Sequence, residues 1–133
     1  MKKNTDKNTQ IQALREEYAL FVAERNWSKY HDPKSVAASI SIEANELLEL
    51  FQWDTIEMAQ NKIKDPDARA KIESEVADVF IYLINFANQT NIDLTEAFKK
   101  KMEKVREKFK VENGDDLEAY YRVKAEYRKQ GKS

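Results

Sequence analysis

Residues 65–88 read DPDARAKIESEVADVFIYLINFAN. Asp65 can accept an orphan amide hydrogen bond at a helix start, and Pro66 suits the first helical turn. Beyond Pro66 this stretch contains neither proline nor glycine. Ile72, Val76, Val79, Phe80 and Leu83 recur at helical spacing. The pattern predicts one long helix from the Asp65-Pro66 start to about Asn88. Two polar residues interrupt its most apolar part, Asp78 and Asn85. A carboxylate in an apolar stripe is costly unless it is paired or binds a metal.

Working outward, the rest of the chain also reads as helix. Thr9 to Arg25 carries a stripe of Ile11, Leu14, Tyr18, Phe21 and Val22. Residues 26–34 break the pattern, with Pro33 as the clearest interruption. Ser35 is then expected to cap a helix from Val36 to about Trp53. Asn91-Ile92-Asp93 is a short link, and Asp93 or Thr95 begins a helix reaching about Val111. Asn113-Gly114 is a stop signal. Asp115 or Asp116 starts a last helix to about Arg128. Two glycines and two prolines are too few for a hairpin-rich fold. The expected fold is all-α: an antiparallel four-helix-type bundle with an additional C-terminal helix. It is expected to form a single domain over residues 9–128, with residues 1–8 and 129–133 as flexible termini.

Composition narrows the chemistry. The 133 residues include no cysteine and one histidine. Disulfides, a thiol nucleophile and cysteine-bound zinc or iron–sulfur clusters are excluded. A metal site must be built mainly from carboxylates, which favour hard ions such as magnesium. A ferritin-like di-iron site requires Glu-x-x-His motifs on bundle helices, whereas His31 falls outside the expected helices. The opening MKKNTDKNTQIQ has no apolar stretch after its lysines, so it does not read as a secretory signal. No run approaches the ~20 apolar residues of a membrane span. A cytoplasmic protein with no membrane partner is expected. The net charge of −1 is unevenly spread: residues 1–34 carry +2, residues 35–98 carry −8 and residues 99–133 carry +5. A nucleic-acid module would show a basic excess over the whole domain, so no nucleic-acid partner is expected.

The acidic centre has a regular spacing. SIEANELLELFQW, residues 41–53, carries Glu43, Glu46 and Glu49 at three-residue steps. IESEVADVFIYL, residues 72–83, carries Glu75 and Asp78 at the same step. Such steps keep neighbours on nearly one helix face, where like charges repel unless something neutralises them. A divalent cation would neutralise both sets and draw the two helices together. The competing reading is a non-catalytic helical interaction module with these acids solvated on its surface.

The sequence resembles the MazG-like, all-alpha nucleoside triphosphate pyrophosphohydrolases, a family that includes the dCTP pyrophosphatases and is related to dimeric dUTPases. The resemblance rests on Glu43-x-x-Glu46 followed by Glu75-x-x-Asp78, and on their flanks. ERNWSKYHDPKSVAASISIEANELLELFQW, EVADVFIYLINFANQTNIDL and AFKKKMEKVREKF carry it over roughly Phe21 to Phe109. It implies magnesium-dependent hydrolysis of a nucleoside triphosphate between the α and β phosphates, with manganese as an alternative ion. The products would be a nucleoside monophosphate and pyrophosphate, in nucleotide-pool house-cleaning. Glu43, Glu46, Glu75 and Asp78 would be the catalytic metal ligands, with Glu49 as an extra acid beside them.

The same resemblance implies that Lys101 and Lys108 are phosphate-contacting lysines. Trp27 and Trp53 are candidates to flank a base, since stacking tolerates base identity. His31 and Tyr82 are candidates to touch substrate. The chain departs from the family pattern at Val105, where asparagine is usual, and at Phe109, where tyrosine is usual. Valine offers no side-chain hydrogen bond. The family also implies a homodimer or a dimer of dimers. A dUTPase-like or phosphoribosyl-ATP pyrophosphohydrolase relative is the alternative enzyme.

Overall fold

The computed structural model describes residues 4–111 and 116–131. Every regular element among them is helical, as the all-α reading expects. In chain order they are α1 (Ile11–Glu24), a 3-10 turn (Trp27–Tyr30), α2 (Pro33–Glu49), α3 (Ile56–Lys62), α4 (Pro66–Thr90), α5 (Leu94–Lys108) and α6 (Leu117–Lys129). No helix of the described residues is long and apolar enough to cross a membrane. The chain divides into two compact units, residues 1–92 and 93–133.

Side-chain oxygens set most of the helix starts. Asp65 accepts from the Ala68 amide at 2.8 Å, Asp93 from Glu96 at 2.8 Å and Asp116 from Ala119 at 3.0 Å. Each satisfies one amide that the first turn leaves without a partner. The start of α2 corrects the sequence expectation. Asp32, not Ser35, is the cap, and Pro33 opens the helix instead of interrupting it. The Asp32 carboxylate accepts from the Ser35 amide at 3.0 Å and from its hydroxyl at 2.6 Å. Both bonds, the hydroxyl first, hold the Asp32 carboxyl below its ordinary pKa.

The end of α2 also differs. The helix stops at Glu49, and Phe51 and Gln52 both donate to the Leu48 carbonyl in a turn. Trp53 therefore lies off the helix. The short helix α3 is absent from the sequence reading; Thr55 caps it, accepting from Met58 at 3.2 Å. Lys62 fastens this turn by donating to the Leu50 carbonyl and pairing with Asp54 at 2.5 Å. Helix α5 ends at Lys108, three residues before the expected Val111. The expected Asn113-Gly114 stop, and Asp115 as an alternative start, lie outside the described residues.

In the first unit, α1 and α2 both pack on α4. His31, just ahead of α2, meets Asn85, while Glu43, farther along α2, meets Glu75 and Asp78. The pairing runs in opposite senses along the two helices, so α2 and α4 are antiparallel. Val22, Val36, Ile84 and Ala87 are buried in this unit. Arg15 on α1 locks the end of α4. It donates to the Asn88 side chain at 2.8 Å and to the Ala87 and Ile92 carbonyls at 3.3 and 3.2 Å. Asn88 returns a bond to the Arg15 carbonyl at 3.1 Å. The guanidinium thus adds a donor to the Ala87 carbonyl, which already accepts from the Asn91 and Ile92 amides, and ties Ile92, just past α4, to α1. Asn91 adopts the left-handed conformation that asparagine tolerates, and Ile92 donates back to Ala87.

In the second unit, Phe109 stacks on Tyr120 with centroids 5.1 Å apart. Lys108 sits 4.3 Å from the Tyr127 ring centroid, a cation–π contact between α5 and α6.

Candidate metal centre

The packing of α2 on α4 brings Glu43, Glu75 and Asp78 together. One carboxylate oxygen of each lies within 4.8 Å of those of the other two, and all three residues are half-buried. Helical spacing explains the local part: residues 75 and 78 fall on one face of α4. The antiparallel pairing supplies the third acid from α2. Among the described residues, no lysine, arginine or histidine forms an ion pair with any of them.

Three uncompensated carboxylates at that separation repel one another. Glu43 shows the effect. Burial first, then the charges of Glu46, Asp78 and Glu75, push its carboxyl above the ordinary glutamate pKa. Glu46 is therefore near enough to act on Glu43, although it is exposed and outside the three-acid group. Glu49 is exposed at the end of α2 and also lies outside the group. The donor set is oxygen only, multiply charged and without a countercharge, which suits a hard divalent cation.

The other expected site residues fall in different places. Tyr82 is half-buried one turn beyond Asp78 and lies near Tyr18 of α1. Burial and then Tyr82 raise the Tyr18 pKa. Trp27 opens the 3-10 turn and packs edge-on against Phe21, centroids 5.7 Å apart. Trp53 is 86% exposed in the turn after α2. His31 is half-buried, with Nδ1 3.2 Å from the Asn85 side-chain nitrogen.

Lys101 and Lys108 line a cavity of about 590 Å³ in the second unit, together with Lys104, Lys124, Tyr120 and Tyr127. Val105 and Phe109, the two departures from the family pattern, line the same cavity. Sequence reading picked out the α5 lysines but not their α6 neighbours. Residues 117–129 repeat aromatic and basic side chains at helical spacing, and that was the available signal.

The model of the MazG-like family matches residues 38–122, which include the four acids and both lysines. The chain is 34% identical to dCTP pyrophosphatase 1 of Mus musculus over 101 residues, 76% of this chain and 59% of that protein. It is 34% identical to dCTP pyrophosphatase 1 of Homo sapiens over 99 residues, 74% and 58% of the two chains. It thus spans less than two thirds of the length of these curated relatives. A crystal structure of a pyrophosphatase from Archaeoglobus fulgidus superposes with a TM-score of 0.72 at 37% identity, covering 81% of this chain and 99% of that one.

Proposed function

The chain belongs to the MazG-like family, and from that premise we propose that it is a nucleoside triphosphate pyrophosphohydrolase. The observation that carries this reading is the meeting of Glu43, Glu75 and Asp78 within 4.8 Å, without a countercharge, inside the family-matched segment. These three would hold a magnesium ion, with Glu46 as the fourth ligand, Glu49 as a neighbouring acid and manganese as a substitute ion. When bound, the ion neutralises phosphate oxygens and lowers the pKa of a water.

The chain's own groups do the rest. A carboxylate of the first pair, Glu43 or Glu46, accepts the proton of the attacking water. The water oxygen bonds to a phosphorus flanking the α–β bridge, and the bond from that phosphorus to the bridging oxygen breaks in line. Nucleoside monophosphate and pyrophosphate leave, and no covalent protein intermediate is needed. Lys101 and Lys108 contact phosphate as mobile point charges. Trp27 and Trp53 flank the base, and His31 and Tyr82 contact the nucleotide. The names of the curated relatives support dCTP and related deoxynucleotides as the first substrates to try.

The match across residues 38–122 spans both compact units and supports one functional domain over 9–128. The first unit leaves Leu20, Ile42, Leu48, Ile56 and Val76 at least half exposed. So much apolar surface supports pairing with a second copy, as a homodimer or a dimer of dimers. The protein is proposed to act in the cytoplasm on free nucleotides, with neither nucleic acid nor membrane as partner.

The test is a panel of common and modified deoxynucleoside triphosphates with magnesium, with products identified. Monophosphate plus pyrophosphate is expected. Release of orthophosphate, or no turnover of any member, overturns the reading.

A further inference from the structure

Asn85 is the one buried polar side chain among the described residues, 1% exposed, with Ile84 and Ala87 buried beside it in α4. An apolar residue of similar size would fill that place with no polar group to satisfy, so a buried amide there needs a reason. Its observed partner is His31, the only histidine of the chain. The Asn85 side-chain nitrogen lies 3.2 Å from Nδ1 of the ring. An amide nitrogen donates and does not accept. With the amide nitrogen facing the ring, the contact is a hydrogen bond when Nδ1 accepts, which is the tautomer of the neutral ring that carries its hydrogen on Nε2, across the ring from Asn85.

Position gives this tautomer a use. Asn85 is seven residues beyond Asp78, so the two lie within about 20° of one direction on α4 and about 10 Å apart along it. The His31 ring is thus tied to the carboxylate-bearing face of α4, at a distance comparable with the length of a nucleotide. We infer that Asn85 is a positioning residue of the substrate site. Its amide fixes His31 in the Nε2–H tautomer, and the ring presents an uncharged N–H donor to an acceptor oxygen of the nucleotide. The ligand in this inference rests on the proposed function; the tautomer does not.

A single histidine makes the test direct, because only one imidazole appears in a long-range nitrogen–proton NMR spectrum. At about pH 8, above the ordinary histidine range, the wild-type protein is expected to carry the hydrogen on Nε2. Asn85→Ala, a good helix former, is expected to give a mixture of tautomers. Asn85→Ser, which keeps a donor, should restore part of the preference. In steady-state assays Asn85→Ala should raise KM about five- to tenfold with kcat little changed, the loss expected for one hydrogen bond. In a His31→Ala background the same substitution should raise KM no further, because Asn85 acts through the ring.

A hydrogen on Nδ1 in the wild type overturns the inference, as does a tautomer unchanged in Asn85→Ala. A KM effect of Asn85→Ala that persists without His31 also overturns it. If the tautomer behaves as stated but no nucleotide is hydrolysed, the proposed function falls, and with it the role in substrate binding. That outcome is distinct from failure of the tautomer, which removes this inference alone.

Discussion

Helix α4 is built differently in its middle and towards its C-terminus. Towards its C-terminus, polar groups are matched. Arg15 spans Asn88, Ala87 and Ile92, Asn88 answers with a bond to Arg15, and Asn85 is paired with His31. One helical stretch earlier, Glu75 and Asp78 face Glu43 with no cation among the described residues to offset them. The first arrangement stabilises the fold by itself. The second sets like charges against one another, and under the proposed function a divalent cation would offset them while the well-matched C-terminal end keeps the helix in place.

The comparison is broken most severely by removing a charge from the unmatched middle. Asp78→Asn keeps the shape of the side chain but removes its negative charge, and hydrolysis should fall by a factor of about 100 or more. Circular dichroism should show the helical content intact. Near-wild-type turnover would mean that Asp78 is not part of the site. The matched end should respond in the opposite way. Arg15→Ala removes the donor to the Asn88 side-chain oxygen and to the Ile92 carbonyl, while the Ala87 carbonyl keeps its amide bonds from Asn91 and Ile92, at a cost of about 1 kcal/mol in denaturant unfolding. Its effect on kcat at a temperature where the protein remains folded should be small. A large kcat loss with unchanged stability would show that the two regions are not separable in this way.

These two regions are unequally legible in the sequence. Asp65-Pro66, the apolar stripe and the three-residue acid spacing follow from local chemistry, so the helix and its acid pair can be read from residues 65–88 alone. The meeting of Glu43 with Glu75 and Asp78 is expected on two grounds, the shared three-residue acid spacing that one cation would neutralise and the family pattern that joins the two helices. Nothing local in residues 41–53 says which face of α2 meets α4. Asp32 displaces Ser35 as cap because a proline one residue later favours a helix start as readily as a break, and position relative to the first turn decides which. The exit of Trp53 from α2 depends on Lys62 reaching back to Leu50 and Asp54, a contact between residues eight to twelve apart that periodicity does not register. Asn85 is visible as a polar residue in an apolar run. Its partner, 54 residues away, is not.

The smallest predicted effect concerns the sign of the acid cluster's contribution. The folded protein holds the Glu43 carboxyl above its ordinary pKa, chiefly by burial and then by Glu46, Asp78 and Glu75. A raised carboxyl binds its proton more tightly folded than unfolded, so its contribution to stability is full below the ordinary glutamate value. The contribution is lost as pH climbs through the raised one. Without metal, Glu43→Gln should match the wild type at the acid side of that window and exceed it by about 0.5 kcal/mol above it, as expected for relief of a like-charge contact. Saturating magnesium should reverse the order. The wild type gains stability from a ligand that binds only its folded state, and the variant, short of one carboxylate, gains less. Thermal melts with and without the ion, at two pH values flanking the window, read both signs. If the variant and the wild type keep the same order with the ion as without it, Glu43 is a repelled surface acid and not a ligand. The contrast between the middle and the C-terminal end of α4 would then reduce to one of burial.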